Sequence, residues 1–152
     1  MYAPHTVTVY NVTQSTDQAT FEDKQETHIT VIRGVFFEAS KAVNVRESGL
    51  VGADAVNLYI PFASPAVDGV TGVAKRFVRP QEFWHATDRT GLWTLSTDGN
   101  GGMTFFIKGE VVEPNKTVET IEMQYDDVYT VTKVDEKDFG SLDLRHFEVG
   151  GV

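Results

Sequence analysis

The sequence contains no cysteine, which excludes a disulfide framework and thiolate metal sites and leaves no argument about redox compartment. Long apolar runs are missing too. Nothing approaches the ~20 apolar residues of a membrane-spanning helix, and Met1-Tyr2-Ala3-Pro4-His5 has neither the basic segment nor the apolar stretch of a signal peptide. A soluble protein with no membrane partner is expected. Positive charge is scarce: 13 Lys and Arg stand against 22 Asp and Glu, and the resulting net charge of −9 repels nucleic acid and anionic membranes.

Catalytic patterns are also lacking. There is no Gly-x-Ser-x-Gly elbow, and the histidines, His5, His28, His85 and His146, never fall two to one face at ligand spacing. His85 and Asp88 are close enough in sequence to meet around a turn, but a hydrogen-bonded surface histidine beside Trp84 is the plainer reading. The acidic run 135–140 reads D-x-x-D-x-G, without the alternating oxygen ligands and downstream glutamate of a calcium loop, and is a turn. Residues 98–102 have no following helix or lysine with which to cradle a phosphate. The expectation is no enzyme, no catalytic, metal or cofactor-binding residues, and no cofactor.

What the chain does have is strand-forming sequence. At 152 residues it makes one domain with a full core. The segments 28–37 and 55–62 read as strands. In the second, Val56, Leu58, Ile60 and Phe62 alternate with Asn57, Tyr59 and Pro61, the period of two of a half-buried strand. The first is apolar on both sides and is read as central, with Gly34 placed to introduce a bulge. Residues 6–12, 128–134 and 145–149 are further strands, the first an edge or closing strand. Residues 93–95 and 103–111 flank a Gly/Asn-rich turn and read as a hairpin, with Phe105, Ile107 and Val111 on the core side. Pro80 opens a short helical turn. Residues 115–125 read as a helix with Val118, Ile121 and Tyr125 on one face and Asn115 as N-cap, against a competing strand reading through Ile121, Met123 and Tyr125. The sum is mainly β: an antiparallel barrel or sandwich of six to eight strands with one short helix.

Three stretches carry no clear period. Residues 1–25 are read as an extended arm outside the 6–12 strand, with Phe21 as the anchor of a polar loop, and 38–54 and 63–75 as long loops of the kind that make contacts. The candidate interface residues are Lys41 and Arg46 in the first long loop, Lys75, Arg76 and Arg79 in a cationic cluster interleaved with Phe77 and Val78, and Trp84. That cluster suits either a half-exposed strand with its basic side outward or a small phosphate contact; facing a protein partner or the outer surface is the expected role. Tyr59, Trp84 and Trp93 are the aromatic residues suited to an interface.

The succession His28-Ile29-Thr30-Val31-Ile32-Arg33-Gly34-Val35-Phe36-Phe37, Asn44-Val45-Arg46-Glu47-Ser48-Gly49-Leu50 and Ile60-Pro61-Phe62 resembles an uncharacterised family of structural proteins encoded by phages and prophages of Gram-positive bacteria. Phe106-Ile107-Lys108-Gly109-Glu110, Val128 to Asp135 and His146-Phe147-Glu148-Val149-Gly150-Gly151 extend the likeness over most of the chain from His28 onward. The resemblance implies a virion component of head-tail joining or minor capsid type. The leading expectation is a head-tail connector subunit, assembling as a homo-oligomeric ring with portal or adaptor and tail proteins as partners, without tight DNA binding although DNA passes through the ring. A minor capsid or tail-associated protein is the alternative, and a carbohydrate- or receptor-binding module with exposed Trp84 and Trp93 is the alternative of another class.

Overall fold

The computed structural model describes residues 3–16, 18–46, 49–97 and 102–152. Two long strands begin it: β1, His5–Thr16, and β2, Asp23–Arg46, run antiparallel from Thr16↔Asp23 to His5↔Val35. β2 then changes neighbour and pairs with β3, Gly49–Pro61, from Phe36↔Tyr59 to Arg46↔Gly49. The handover falls at Gly34. The β1 ladder skips there, from Thr6↔Arg33 to His5↔Val35, and Gly34 has φ +83, a left-handed conformation that glycine adopts at little cost.

β3 continues to β9, His146–Gly151, which pairs with β8, Val128–Lys137; β8 pairs with β7, Gly102–Lys108, and β7 returns to β1. Six strands in the order β1, β7, β8, β9, β3, β2 therefore close on themselves. The domain is a β-barrel, and closure removes the free edges that an open sheet exposes. Three smaller strands decorate it: β4, Ala66–Asp68, beside β2, and the short parallel pair of β5, Arg76–Phe77, and β6, Leu92–Trp93. Helix α1, Pro80–His85, lies between β5 and β6 in sequence, with the proline in its first turn.

The core has two parts because β1 and β7 are buried on both faces. Val7, Val9, Ile32, Phe37, Leu58, Ile60, Phe106 and Val149 belong to one cluster; Tyr10, Val12, Ile29, Phe105 and Ile107 form a second under helix α2, Val118–Gln124, whose Ile121 is buried there. Val118 and Tyr125 pack on the same cluster, so the helical spacing of 118, 121 and 125 is realised and the strand alternative is not. The N-cap is Thr117, whose hydroxyl accepts from Thr120 N–H, not Asn115.

Several segments differ from the sequence reading. Residues 38–46 and 49–54 are ladder, not loop: main-chain hydrogen bonds hold them, so no side-chain period was needed to form them. Most of 1–25 is barrel wall rather than an arm, because β1 closes the ring. Phe21 anchors nothing and is 83% exposed. Residues 63–75 are largely loop, as expected, but contain β4. The expected hairpin between 93–95 and 103–111 does not form: β6 pairs with β5, while β7 pairs with β1 and β8. Most of its turn, residues 98–101, lies outside the described residues. Finally, two helices are present where one was expected, and Phe62 at the end of the apolar face is 40% exposed.

Candidate functional site

The six candidate interface residues separate into three places. Lys41 and Arg46 stand on the β2–β3 hairpin, at register positions opposite Asp54 and Gly49; their side chains are outside the described residues. Arg76, Arg79 and Trp84 come together around one groove. Lys75 does not join them, because its side chain is only 1% exposed and its ammonium bonds Asp68 at 3.3 Å. The side chain of its neighbour Arg76 is 70% exposed, so the cationic cluster divides between interior and surface.

The groove is made of two adjoining clefts of about 510 and 500 Å³ that share Phe77, Arg79 and Glu136. One end is lined by Trp84, Leu95 and Ser96, the other by Phe62, Arg76 and Phe147. Phe62, Phe77 and Phe147 in its lining are linked by ring contacts, with centroids 4.6 Å apart for Phe62 and Phe147 and 4.4 Å for Phe77 and Phe147, and Phe77 also meets the buried Trp93 at 5.1 Å. Trp93 itself is buried, so the exposed tryptophan pair of a carbohydrate-binding surface is not formed. Arg79 Nη2 donates to Glu136 Oε2 at 3.1 Å, a hydrogen bond that raises the guanidinium pKa. Arg76 faces Glu82 at 4.0 Å. Both pairs lie at the surface and are individually weak. Sequence reasoning found the cations and Trp84 but missed Phe62 and Phe147, which reach the groove only through the β3–β9 pairing.

A second polar cluster surrounds the buried lysine. Lys75 Nζ donates to Ile29 O at 3.0 Å and Thr30 Oγ1 at 3.1 Å besides its ion pair, which uses its three protons. Burial pulls the ammonium below its ordinary pKa in spite of Asp68. Burial also works to raise the Asp68 carboxyl, but the N–H groups of Thr71 and Val70, together with Lys75, hold it below its usual value. With its donors and acceptors paired in this way, the cluster is a structural tie between β2 and the loop after β4.

Beside it, His28 packs edge-on against Phe83 and reaches Thr13 Oγ1 at 3.3 Å. Burial, then the nearby Lys75, hold its pKa below 6.5, with Arg89 adding to this and Glu26 and Asp68 opposing. The folded state therefore binds fewer protons than the unfolded chain below pH about 6.5. Stability from this source is complete above that pH and falls as the pH drops toward the folded pKa. His28→Gln should flatten the fall in thermal midpoint between about pH 7 and 5; an unchanged slope would assign it to another group.

Elsewhere, His85 Nδ1 lies 2.9 Å from Gln81 O, and Asp88 accepts from the Thr90 N–H and hydroxyl. Each is satisfied locally, in agreement with the surface-histidine reading. Among the described residues, no group of three His, Asp or Glu side chains is placed to hold a metal ion, and no helix is long and apolar enough to cross a membrane.

The chain belongs to a family of unknown function (DUF6751), whose model matches residues 2–152. No curated protein and no solved structure matches it.

Proposed function

We propose that this member of the family is a structural subunit of a phage particle, a head-tail connector of the head-completion, stopper or adaptor kind that assembles with its own copies as a ring between portal and tail. The observation that carries the reading is the far part of the β2–β3 hairpin. β3 stops pairing with β9 at Val56, yet β2 and β3 continue together through seven register pairs, from Ser40↔Ala55 to Arg46↔Gly49. At ~3.3 Å per residue this is an arm of roughly 20 Å, with no third strand beside it among the described residues. A lone two-stranded ladder is marginal in water, so contact with a neighbour stabilises it, and a ring of identical subunits gives every arm a neighbour. The resemblance of 28–37, 44–50 and the C-terminal strand to phage structural proteins supports the same reading. The groove around Phe77 offers a further contact for portal, adaptor or tail proteins. With a net charge of −9, a channel through the ring repels phosphates and lets DNA pass without holding it.

Shortening the arm tests this. Replacing residues 42–53 by Asn-Gly joins the register partners Lys41 and Asp54 through a two-residue turn. The variant should fold as a monomer with a thermal midpoint within a few degrees of the parent, while particles made with it fail to join heads to tails. Normal joining by the variant, or absence of the parent protein from purified particles, would refute the proposal.

A further inference from the structure

We infer that His28 is an acid-sensitive latch for helix α1: when its ring gains a proton, α1 lifts from the barrel and takes with it the wall of the groove that carries Trp84. The latch acts on the groove itself and holds whatever docks there.

His28 stands on β2 with its ring edge-on to Phe83, the centroids 5.6 Å apart at 87°. Phe83 is the buried residue of this six-residue helix and is fully covered. The next residue, Trp84, packs against it at 4.8 Å and lines the groove together with Arg79, Pro80 and Gln81. Arg89 holds the helix from its other end. Its Nε donates to Phe83 O at 2.9 Å and its Nη2 to Trp84 O at 2.6 Å, with the guanidinium 5.8 Å from the Phe83 ring centre. Helix and Arg89 are therefore one unit, and that unit meets β2 at the His28 ring.

The ring is set for a single proton. Thr13 Oγ1 donates to Glu26 O at 3.4 Å and so offers a lone pair to His28 Nε2 at 3.3 Å, which keeps the proton of the neutral ring on Nε2. A second proton enters at Nδ1, which has no hydrogen-bond partner among the described residues. The charged groups around it come from several elements. Glu26 on β2, with its carboxylate 3.9 Å from the ring, and Asp68 on β4 favour the charged ring; Lys75 and Arg89 oppose it, and burial contributes most. Asp88 shares the cleft beside the ring but is bound by the Thr90 N–H and hydroxyl. On α1 itself, Glu82 faces Arg76 and His85 faces Gln81 O.

This division selects the element that moves. Lys75 is tied to Ile29, Thr30 and Asp68 and stays with the barrel. Lifting α1 takes away both the Phe83 ring that covers His28 and the Arg89 cation, while Glu26 and Asp68 remain. A cleft of about 440 Å³ lined by Glu26, His28, Asp68, Asp88 and Arg89 already brings water to the seam. The closed state holds His28 below its ordinary pKa, and the lifted state returns it toward about 6.5. As the pH falls from about 6.5 toward the closed-state pKa, the lifted state gains up to about tenfold in population per pH unit, and below that pKa the gain levels off.

Amide exchange and ring titration by NMR on the full chain test the latch, in a His85→Gln background so that the histidine beside Trp84 does not titrate. The Phe83 N–H, bonded to Arg79 O at 3.0 Å, should lose protection by up to about tenfold per unit between about pH 6.5 and 5, after correction for the intrinsic effect of pH. Amides of the β1–β2 ladder should keep theirs. The Trp84 indole resonance should move with the same midpoint as the His28 ring protons. Adding His28→Gln, which keeps a polar group beside Thr13 and gains no charge, should remove both responses. Equal loss of protection in that variant, or loss in step at Phe83 and in the ladder as in global unfolding, would overturn the inference. So would titration of His28 without movement of Trp84, a comparison that does not depend on the folding of the His28→Gln variant.

Discussion

Leu58→Ala should cost about 2 to 5 kcal/mol of folding stability. Leu58 is fully buried in the part of β3 that pairs with both β2 and β9, with Val56 and Ile60 buried on either side of it along the strand. Its register partners are Phe37 on β2 and Val149 on β9, both buried. Truncation removes apolar contact and leaves a cavity whose walls are held by hydrogen-bonded ladders on both sides. Such a wall collapses poorly, which places the cost in the upper part of that range. Denaturant titration measures it: the midpoint should fall with the slope unchanged, as for loss of stability without change of the unfolded state. A cost below about 1 kcal/mol would mean that this face of β3 is not core.

Asn11→Ala should have an effect of similar size for a different reason. Asn11 is fully buried on β1. Its amide acts as a substitute strand partner for the main chain of Thr94: Nδ2 donates to Thr94 O at 2.9 Å and Oδ1 accepts from Thr94 N–H at 3.2 Å. Nδ2 also donates to Thr104 Oγ1, which accepts from Ser96 N–H. The side chain thus ties the buried segment after β6 to β1 and β7, where β6 itself pairs for only two residues. Alanine leaves a buried N–H and a buried C=O without these bonds, at about 1 to 3 kcal/mol each, for a total of about 2 to 6 kcal/mol. Thr94→Val is the control. The Thr94 hydroxyl is buried with no hydrogen-bond partner, so its removal should change stability by less than about 1 kcal/mol. Similar costs for the two variants would show that the amide is not what holds the segment.

These two residues also show how much could be read along the chain. Leu58 was legible because burial of one face of a strand writes a period of two into the sequence, and Val56, Leu58 and Ile60 carry it. Asn11 was not. It sits in a run that reads as strand, and a single polar residue there looks like an outward-facing position until Thr94 is placed beside it. The two residues are 83 apart in sequence, beyond the reach of any local pattern. The same holds for the candidate interface. Arg76, Arg79 and Trp84 were identifiable as cations and an aromatic near one another in sequence, and the groove unites them. Lys75 was grouped with them wrongly, because β4 and Asp68 that enclose it give no local sign of doing so. Phe139 was read only as part of a turn and Leu142 and Leu144 carried no signal, although all three are exposed, since apolar residues in a sequence do not declare whether they are covered.

By itself the sequence determined the β class, the bulge at Gly34 and the apolar face of β3, and it offered the helical spacing of 118, 121 and 125 that the structure chose over a strand. Each depends on interactions between residues a few positions apart, or on the conformational freedom of one glycine. Only the tertiary structure decided that the sheet closes, that 38–46 and 49–54 form a ladder instead of a loop, and which cations stay in water. Closure joins β1 to β7, pairing Val7 with Lys108, and the arm is a ladder of main-chain bonds indifferent to side-chain pattern. Long-range pairing and burial of charge are properties of neighbours in space, and the local hydrophobic period that marks a strand does not say which strand will lie beside it.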